Sequence, residues 1–311
     1  MKAINFVNFY RMLGTVVVLS CLLLVGGCSK AEREAEQYCR SGMERLAEND
    51  VDAAASCFAK AVELNQNFAP AYLGVGETCL RKLDFNAAKE NFDKALELDS
   101  LLISARVGRG EAYLGLRKYE NAIEDFNVVL EAQPDQTTVL GNRGYAYVGL
   151  GNFDQALNDL NKCVENAPTQ PNYYVNRGVL FQKRGEFDNG IKDLEKAIEL
   201  DPANPMNYAI RGKIYQEAGN WDAALADFNK ALEIDVNCFA AYKYRGVYFK
   251  GLGQWEEAIK DLSRAAELNP NDPGVFFERA SAYRQLKKDE QCQADLDKVQ
   301  KIDPNYMKGS M

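Results

Sequence analysis

Hydrophobic and polar residues along this chain follow a pattern that returns every 34 residues between Ala35 and Tyr306. Within each period, apolar residues stand at helical spacing in two blocks, which predicts two amphipathic helices per period. A break with glycine or asparagine separates the blocks in several periods, and a proline often closes the second block. Eight periods follow one another without insertion, so the chain is predicted to be an all-α array of helical hairpins.

We number the positions of each period as slots 1 to 34, and several slots keep one kind of residue through the array. Slot 8 is glycine in every period except the last, slot 20 is always small, and slot 24 is always Phe or Leu. Small residues let two helices approach closely, while the slot 24 side chain fills the space beside them. Because one hairpin cannot bury its apolar face alone, neighbouring hairpins are expected to stack and share a core.

These columns resemble the tetratricopeptide repeat (TPR), whose glycine, tyrosine, alanine, Phe/Leu and proline stand at the same offsets. The resemblance implies a right-handed α-solenoid of eight 34-residue helix-turn-helix units, in which first helices line a concave groove. Slot 4 departs from the family's aromatic preference in repeats 3 and 4, which carry Arg106 and Leu140. The predicted repeats 1 to 8 are residues 35–68, 69–102, 103–136, 137–170, 171–204, 205–238, 239–272 and 273–306.

Residues 1–27 are typical of a targeting signal and are set aside from the fold. Lys2 and Arg11 precede or begin a largely apolar run over residues 12–25, which is short for a membrane-spanning helix. The run ends in Val-Gly-Gly-Cys, which resembles the lipobox of bacterial lipoproteins. That resemblance implies lipidation (palmitate) of Cys28 and a lipid-anchored protein of the bacterial cell envelope. Ser29 favours the outer membrane, facing the periplasm; an ordinary signal or short anchor is the alternative.

Residues 28–34 are predicted to be a short linker of at most about 20 Å, and residues 307–311 a tail. The chain carries 37 Lys and Arg against 45 Asp and Glu, a net charge of −8. Removing the signal with Lys2 and Arg11 would make the net charge −10. Such an acidic chain is a poor general binder of nucleic acid.

The sequence contains no histidine and no Cys-x-x-Cys spacing. Histidine-dependent catalysis and common zinc or redox motifs are therefore excluded, and no catalytic residue, metal site or cofactor is predicted. Cys79, Cys163 and Cys292 occupy packing slots and are expected to behave as small apolar residues. Cys39 and Cys57 stand at similar heights on antiparallel helices. An oxidising compartment would permit a disulfide between them, and the sequence does not decide whether it forms.

One charged pair recurs through the array. Slot 7 is arginine and slot 23 is aspartate in repeats 3 to 8, and both are missing from repeats 1 and 2. Both slots lie about 11 Å from the turn on antiparallel helices, so we predict an ion-pair ladder, within each hairpin or to its neighbour. We interpret it as a structural device that sets register. The pairs are Arg109 and Asp125, Arg143 and Asp159, Arg177 and Asp193, Arg211 and Asp227, Arg245 and Asp261, and Arg279 and Asp295.

The family resemblance implies that slots 2, 5, 6, 9, 12 and 13 face the groove and bind peptides. Asparagine at slot 6 offers a donor and an acceptor that match a peptide group. Repeats 5 to 8 are predicted to form a locally basic half-groove with aromatic residues, suited to an acidic peptide; ordinary solvated lysines are the alternative. The candidate groove residues are Asn142, Tyr145, Asn176, Lys183, Lys213, Lys243, Tyr244, Lys250, Phe277 and Arg284.

The predicted function is that of a non-enzymatic, membrane-anchored scaffold or adaptor. It would mediate protein–protein interactions in the assembly or regulation of a cell-envelope complex. The expected partner is a protein or an extended peptide in the groove, with the membrane reached through the lipid anchor. A module that binds peptidoglycan or an exported polysaccharide is the alternative, which stacked aromatic residues in the groove would favour.

Overall fold

The computed structural model describes residues 29–309, and in that part of the chain it contains sixteen α-helices, one short 3-10 helix and no β-strand. Consecutive helices pair into hairpins, so the predicted all-α array of TPR units is confirmed. The predicted signal and Cys28 lie outside the described residues.

The chain divides into two compact units between Asn166 and Ala167. The N-terminal unit holds α1 (Lys30–Ala47), α2 (Val51–Leu64), α3 (Ala69–Arg81), α4 (Phe85–Leu98), α5 (Ile103–Gly115), α6 (Tyr119–Ala132), α7 (Thr137–Gly149) and α8 (Phe153–Asn166). The C-terminal unit holds α9 (Pro171–Arg184), α10 (Phe187–Leu200), α11 (Pro205–Glu217), α12 (Trp221–Ile234), α13 (Phe239–Gly251), α14 (Trp255–Leu268), α15 (Pro273–Gln285), α16 (Asp289–Ile302) and a closing 3-10 helix (Tyr306–Gly309).

Each hairpin turns at slot 15, where the backbone is left-handed in all eight repeats, with φ between 56° and 81°. Glycine adopts this conformation without a steric cost, whereas a Cβ makes it unfavourable. The same turn therefore also forms in repeats that lack glycine at slot 15, because the packing of the two helices closes it. Slot 15 is Asn49, Leu83, Arg117, Gly151, Gly185, Gly219, Gly253 and Lys287.

The first helix begins earlier than predicted. Ser29 Oγ accepts a hydrogen bond from the Glu32 backbone N–H, while Glu32 accepts one from the Ser29 N–H, which makes a capping box. Helix α1 consequently starts at Lys30, so the prediction of a linker over residues 28–34 is wrong for most of its length. Five helical residues rise only about 7.5 Å, well short of the reach of an extended linker.

Phenylalanine rings at slot 24 fill the core between neighbouring hairpins of the N-terminal unit. The Phe58 ring is fully buried between Gly42 of its own repeat and Gly74 of the next. A Cβ at Gly42 would lie 2.7 Å from that ring, and one at Gly74 only 2.3 Å. Both glycines are therefore required for close approach rather than for backbone freedom.

The cysteines lie in or near the packing columns. Cys163 and Cys292 are buried as expected, while Cys79 is half-buried. Cys57 is a free thiol, so the structure lacks the Cys39–Cys57 bridge that the sequence left open. Cys39 is buried against the core of repeat 1 instead of facing a groove.

Candidate binding surface on the first helices

We call the side chains at slots 2, 5, 6, 9, 12 and 13 the first-helix face, and describe it separately in each unit. In the N-terminal unit, Asn142 on α7 is only 3% exposed. Its side-chain N–H donates to Glu111 Oε1 on α5 at 3.1 Å, and Glu111 is itself 8% exposed. The amide that the sequence assigned to a peptide backbone is thus already bound to the preceding repeat. Slot 9 of one repeat reaches slot 6 of the next, and the sequence alone did not show this contact.

Two carboxyl groups on this face have pKa values raised by burial. Burial raises the pKa of Glu111 to about 7; the Asn142 hydrogen bond opposes this shift, and the charge of Glu77 adds to it. Burial likewise raises the pKa of Glu77 to about 7, against the opposing charge of Arg81. Near pH 7 the face therefore carries less negative charge than the sequence indicates. Tyr145, also on α7, is 37% exposed and meets the Tyr119 ring edge-on at 6.2 Å.

Lysines of the C-terminal unit are paired with carboxylates. Lys243 Nζ lies 2.7 Å from Asp272 Oδ2. Lys250 on α13 contacts Glu278 on α15, and Lys213 lies 3.5 Å from Glu217 on the same helix. These carboxylates neutralise much of the positive charge predicted for the half-groove. One of the three pairs, Lys250 with Glu278, joins consecutive repeats, while Lys243 reaches the last residue of its own repeat.

Aromatic rings on this face are covered by neighbouring side chains. Lys213 Nζ lies 5.6 Å from the centre of the Tyr244 ring, a cation–π contact between α11 and α13. Burial, followed by the charges of Asp272 and Glu217, raises the pKa of Tyr244 to about 12. Phe277 meets the Tyr306 ring of the closing 3-10 helix at 5.9 Å.

The remaining candidates lie on the same helices without a shared cluster. Asn176 and Lys183 are on α9, the first half-buried and the second exposed, and Arg284 is exposed near the end of α15. The structure therefore brings together Lys213 with Tyr244 and Phe277 with Tyr306, and leaves the other candidates spread along the face.

All six arginine–aspartate pairs of the ladder are in contact. In repeat 4, Arg143 Nε and Nη2 donate to the two carboxylate oxygens of Asp159 at 2.8 and 2.7 Å. The other five pairs show the same two-pronged geometry, with distances from 2.7 to 2.9 Å. Asp159 is only 1% exposed, and the hydrogen bond to it raises the pKa of Arg143. This fork is the arrangement in which arginine binds a carboxylate most specifically.

The ladder also joins neighbouring repeats through a partner that the sequence analysis missed. Arg143 Nη1 donates to Asn127 of repeat 3 at 2.8 Å, and Arg109 Nη1 donates to Asp93 of repeat 2 at 2.7 Å. Both partners occupy slot 25. The sequence does carry a signal for this partner, because slot 25 is polar in the repeat that precedes each ladder arginine. Repeat 1 has Ala59 at this slot, and repeat 2, which follows it, has no ladder arginine.

Between residues 29 and 309, no three His, Cys, Asp or Glu side chains are grouped as metal ligands would be. None of the helices in that range combines the length and the apolarity needed to cross a bilayer.

Solved structures share this fold. A tetratricopeptide repeat protein from Parabacteroides merdae gives a TM-score of 0.70 at 20% identity, covering 80% of this chain and 99% of its own. Yeast Tom70 gives 0.67 at 17% identity, covering 95% and 65%. The APC/C hetero-tetramer Cut9–Hcn1 gives 0.62 at 16% identity, covering 91% and 56%. A search of curated proteins gave no significant match.

Family models match most of the array. Models described as tetratricopeptide repeat match residues 35–68, 80–137, 137–170, 171–204, 205–238 and 273–306, and one described as TPR repeat matches residues 249–287. Together with the paired helices and their shared packing columns, these matches show that the chain belongs to the tetratricopeptide repeat family.

Proposed function

We propose that the protein is a non-enzymatic scaffold that holds a partner protein against the first-helix face of its C-terminal unit. The observation that carries this proposal is the row of ordered side chains on α11, α13 and α15. Lys213 lies over Tyr244, and Lys250 reaches Glu278 of the next repeat. Such a pre-ordered surface loses little side-chain entropy on binding.

The chemistry of this surface supports a polypeptide ligand over a glycan. Sugar rings stack on open aromatic faces, whereas Tyr244 and Phe277 are covered by Lys213 and Tyr306. Alternating cations, carboxylates and amides match the charges and peptide groups of a polypeptide. The Cut9–Hcn1 structure is a complex of two different proteins with this fold among its chains, which adds support.

The proposal includes a lipid anchor at Cys28 in a bacterial cell envelope, at the periplasmic side of the outer membrane. Its support is the sequence Val-Gly-Gly-Cys after an apolar run, and Ser29 directly after the cysteine. With α1 starting at Lys30, the array would begin almost at the lipid surface. There it would assist the assembly or regulation of an envelope complex.

Capture of partners by the full-length chain in envelope extracts tests the scaffold function. Lys213→Glu should lower the recovery of a stoichiometric partner protein at least fivefold. Lys230→Glu is the matched control, because Lys230 is exposed on the second helix α12 and pairs with Glu233 of the same helix. Equal recovery with both variants, or recovery of glycan without a protein, would contradict the proposal.

The anchor is tested separately. Cys28→Ser should move the protein from the membrane fraction to the soluble fraction and abolish incorporation of labelled palmitate. Membrane association that survives this substitution, without label in the wild type, would remove the anchor from the proposal and leave the scaffold function standing.

A further inference from the structure

The ladder arginines of the C-terminal unit each lie beside an aromatic ring at slot 4. In repeat 5, the centre of the Tyr174 ring is 5.9 Å from Arg177 Cζ, and the Tyr174 hydroxyl donates to the Pro168 carbonyl at 3.0 Å. Repeats 6, 7 and 8 repeat the ring contact at 5.8, 5.8 and 5.5 Å, with Tyr208, Tyr242 and Phe276. A ring at slot 4 is therefore a regular part of the arginine site.

Repeat 4 keeps the arginine and lacks this ring. Its slot 4 residue is Leu140, and Arg143 meets the ring of Tyr147, at slot 11, with 5.8 Å to the centroid. Repeat 3 fills the same slot with a charged side chain instead, since Arg106 lies 3.8 Å from Asp125. Among the described ladder repeats, repeat 4 alone has neither a ring nor a guanidinium there.

An open pocket of about 200 Å³ lies at this place on the surface of the N-terminal unit. Leu140, Arg143, Leu130, Pro134 and Lys162 line it, and they belong to α6, α7, α8 and the turn between α6 and α7. We call it the repeat 4 pocket. The pocket is open to solvent and partly polar, with Asn127 and Glu131 also in its lining. A volume of about 150 Å³ holds a benzene ring in an engineered cavity of another protein, so the size of this pocket admits a single substituted ring.

The next repeat shows which chemistry fits the pocket. Pro134 stands at slot 32 of repeat 3, as Pro168 stands at slot 32 of repeat 4, and it lines the pocket. A ring in the pocket would stack on the planar guanidinium of Arg143, which keeps 19% of its side chain exposed. A hydroxyl on that ring would find the Pro134 carbonyl where Tyr174 finds the Pro168 carbonyl.

We propose that the repeat 4 pocket binds a tyrosine side chain of a partner protein. The ring lies against Arg143 and the phenol hydroxyl donates to the Pro134 carbonyl. Slots 4, 7 and 32 are not part of the first-helix face, so this site is separate from the proposed scaffold surface and does not depend on it.

Binding of N-acetyl-tyrosinamide to the isotope-labelled full-length chain, followed by NMR of the arginine side chains, tests the site. The Arg143 Nε–H signal should shift, with affinity falling in the order N-acetyl-tyrosinamide, N-acetyl-phenylalaninamide, N-acetyl-leucinamide. Leu140→Tyr should fill the pocket with the chain's own ring, weaken binding at least tenfold and raise the melting temperature. Equal affinity for the tyrosine and leucine probes would overturn the proposal, as would unchanged binding to folded L140Y.

A second variant keeps the proposal testable if L140Y does not fold. Tyr174→Leu should copy the pocket into repeat 5, so that the Arg177 Nε–H signal also shifts with the tyrosine probe. The absence of a second site in a folded Y174L variant would contradict the assignment of the ring to slot 4. Sedimentation distinguishes the source of the tyrosine. A lower association state of L140Y than of wild type would assign the ring to a second copy of this chain and overturn a foreign partner.

Discussion

Repeats 1 and 2 contact their neighbours differently from repeats 3 to 8. In the early repeats, the rings of Phe58 and Phe92 insert between glycines of adjacent hairpins, as Phe58 does between Gly42 and Gly74. From repeat 3 onward, a slot 7 arginine joins its own aspartate, as Arg109 joins Asp125, and several of these arginines also reach slot 25 of the preceding repeat.

This difference shows that one backbone plan accepts two ways of setting register. Ring insertion is non-directional and depends on volume, so it tolerates no added atom at the glycines. The arginine fork is directional and fixes the helices through paired donors, at the expense of a buried carboxylate. Repeat 2 shows the exchange directly, because Val75 and Asn91 replace the ladder pair, and Asn91 bonds instead to the Ala87 carbonyl of its own helix at 2.8 Å.

The largest loss of stability is expected from removing a phenylalanine ring that inserts between two hairpins. Phe58→Ala should destabilise the first hairpins by about 3–5 kcal/mol, because it removes a fully buried ring and leaves a cavity. Hydrogen exchange of α1 to α4 measures this, since a repeat array does not unfold as one unit. Phe58→Leu is the control, because slot 24 is leucine in four other repeats. A loss below about 1 kcal/mol for Phe58→Ala would show that ring insertion does not hold these repeats.

The second largest effect is expected from breaking one arginine–aspartate pair of the ladder. Arg177→Ala should cost about 3 kcal/mol, because Asp193, only 6% exposed, would lose both of its arginine hydrogen bonds. Hydrogen exchange of α9 and α10 and the melting temperature report the loss. Lys196→Ala is the control, since Lys196 pairs with Glu199 at the surface. A melting temperature equal to that of the control would remove the ladder's structural role.

The buried carboxyls of repeats 2 and 3 predict a pH effect of intermediate size. Since the pKa of Glu111 rises from 4.5 to about 7 on folding, the folded state takes up protons. The proton bound by Glu111 therefore stabilises the folded state fully below about pH 4.5, and this contribution is lost as the pH rises through about 7. Glu111→Gln should thus stabilise the N-terminal unit at pH 8 by about 1–3 kcal/mol and change little at pH 4.5.

Melting curves of the variant and wild type between pH 4.5 and 8 check this pH dependence. Glu90→Gln is the control, because Glu90 is exposed on α4. A Glu111→Gln difference that is the same at both pH values would mean that folding does not raise the pKa of Glu111.

The smallest effect is expected at the turn end of repeats 1 and 2. Arg81 Nη1 donates to the Leu46 carbonyl at 3.2 Å and lies 3.4 Å from Asn49 Oδ1, a link that substitutes for the missing ladder. Arg81→Ala should cost about 1 kcal/mol, the value of a partly exposed hydrogen bond. Faster hydrogen exchange confined to α1 would be the signature. Faster exchange throughout repeats 3 and 4 would show that the link supports more than its own hairpin.

The repeat plan could be predicted because its residues are periodic. Slot 27 is buried in all eight repeats, and the slot 7 and slot 23 columns meet as their common height on the hairpin implied. The groove residues were harder to interpret, because their state depends on which side chain of the adjacent repeat reaches them. Asn142 is occupied by Glu111 of the preceding repeat, and Lys250 contacts Glu278 of the following repeat, through contacts between residues 31 and 28 positions apart.

The sequence by itself determined the helical hairpins, their number in the array and the charged column that joins them, because these follow from spacing along one chain. Only the tertiary structure decided which groove side chains are already engaged, that burial raises the pKa values of two carboxyls to about 7, and that a ring-sized pocket lies beside Arg143. The physical reason is that burial and hydrogen bonding are properties of neighbours in space. Each repeat presents its neighbour with a different set of side chains, even where the columns agree.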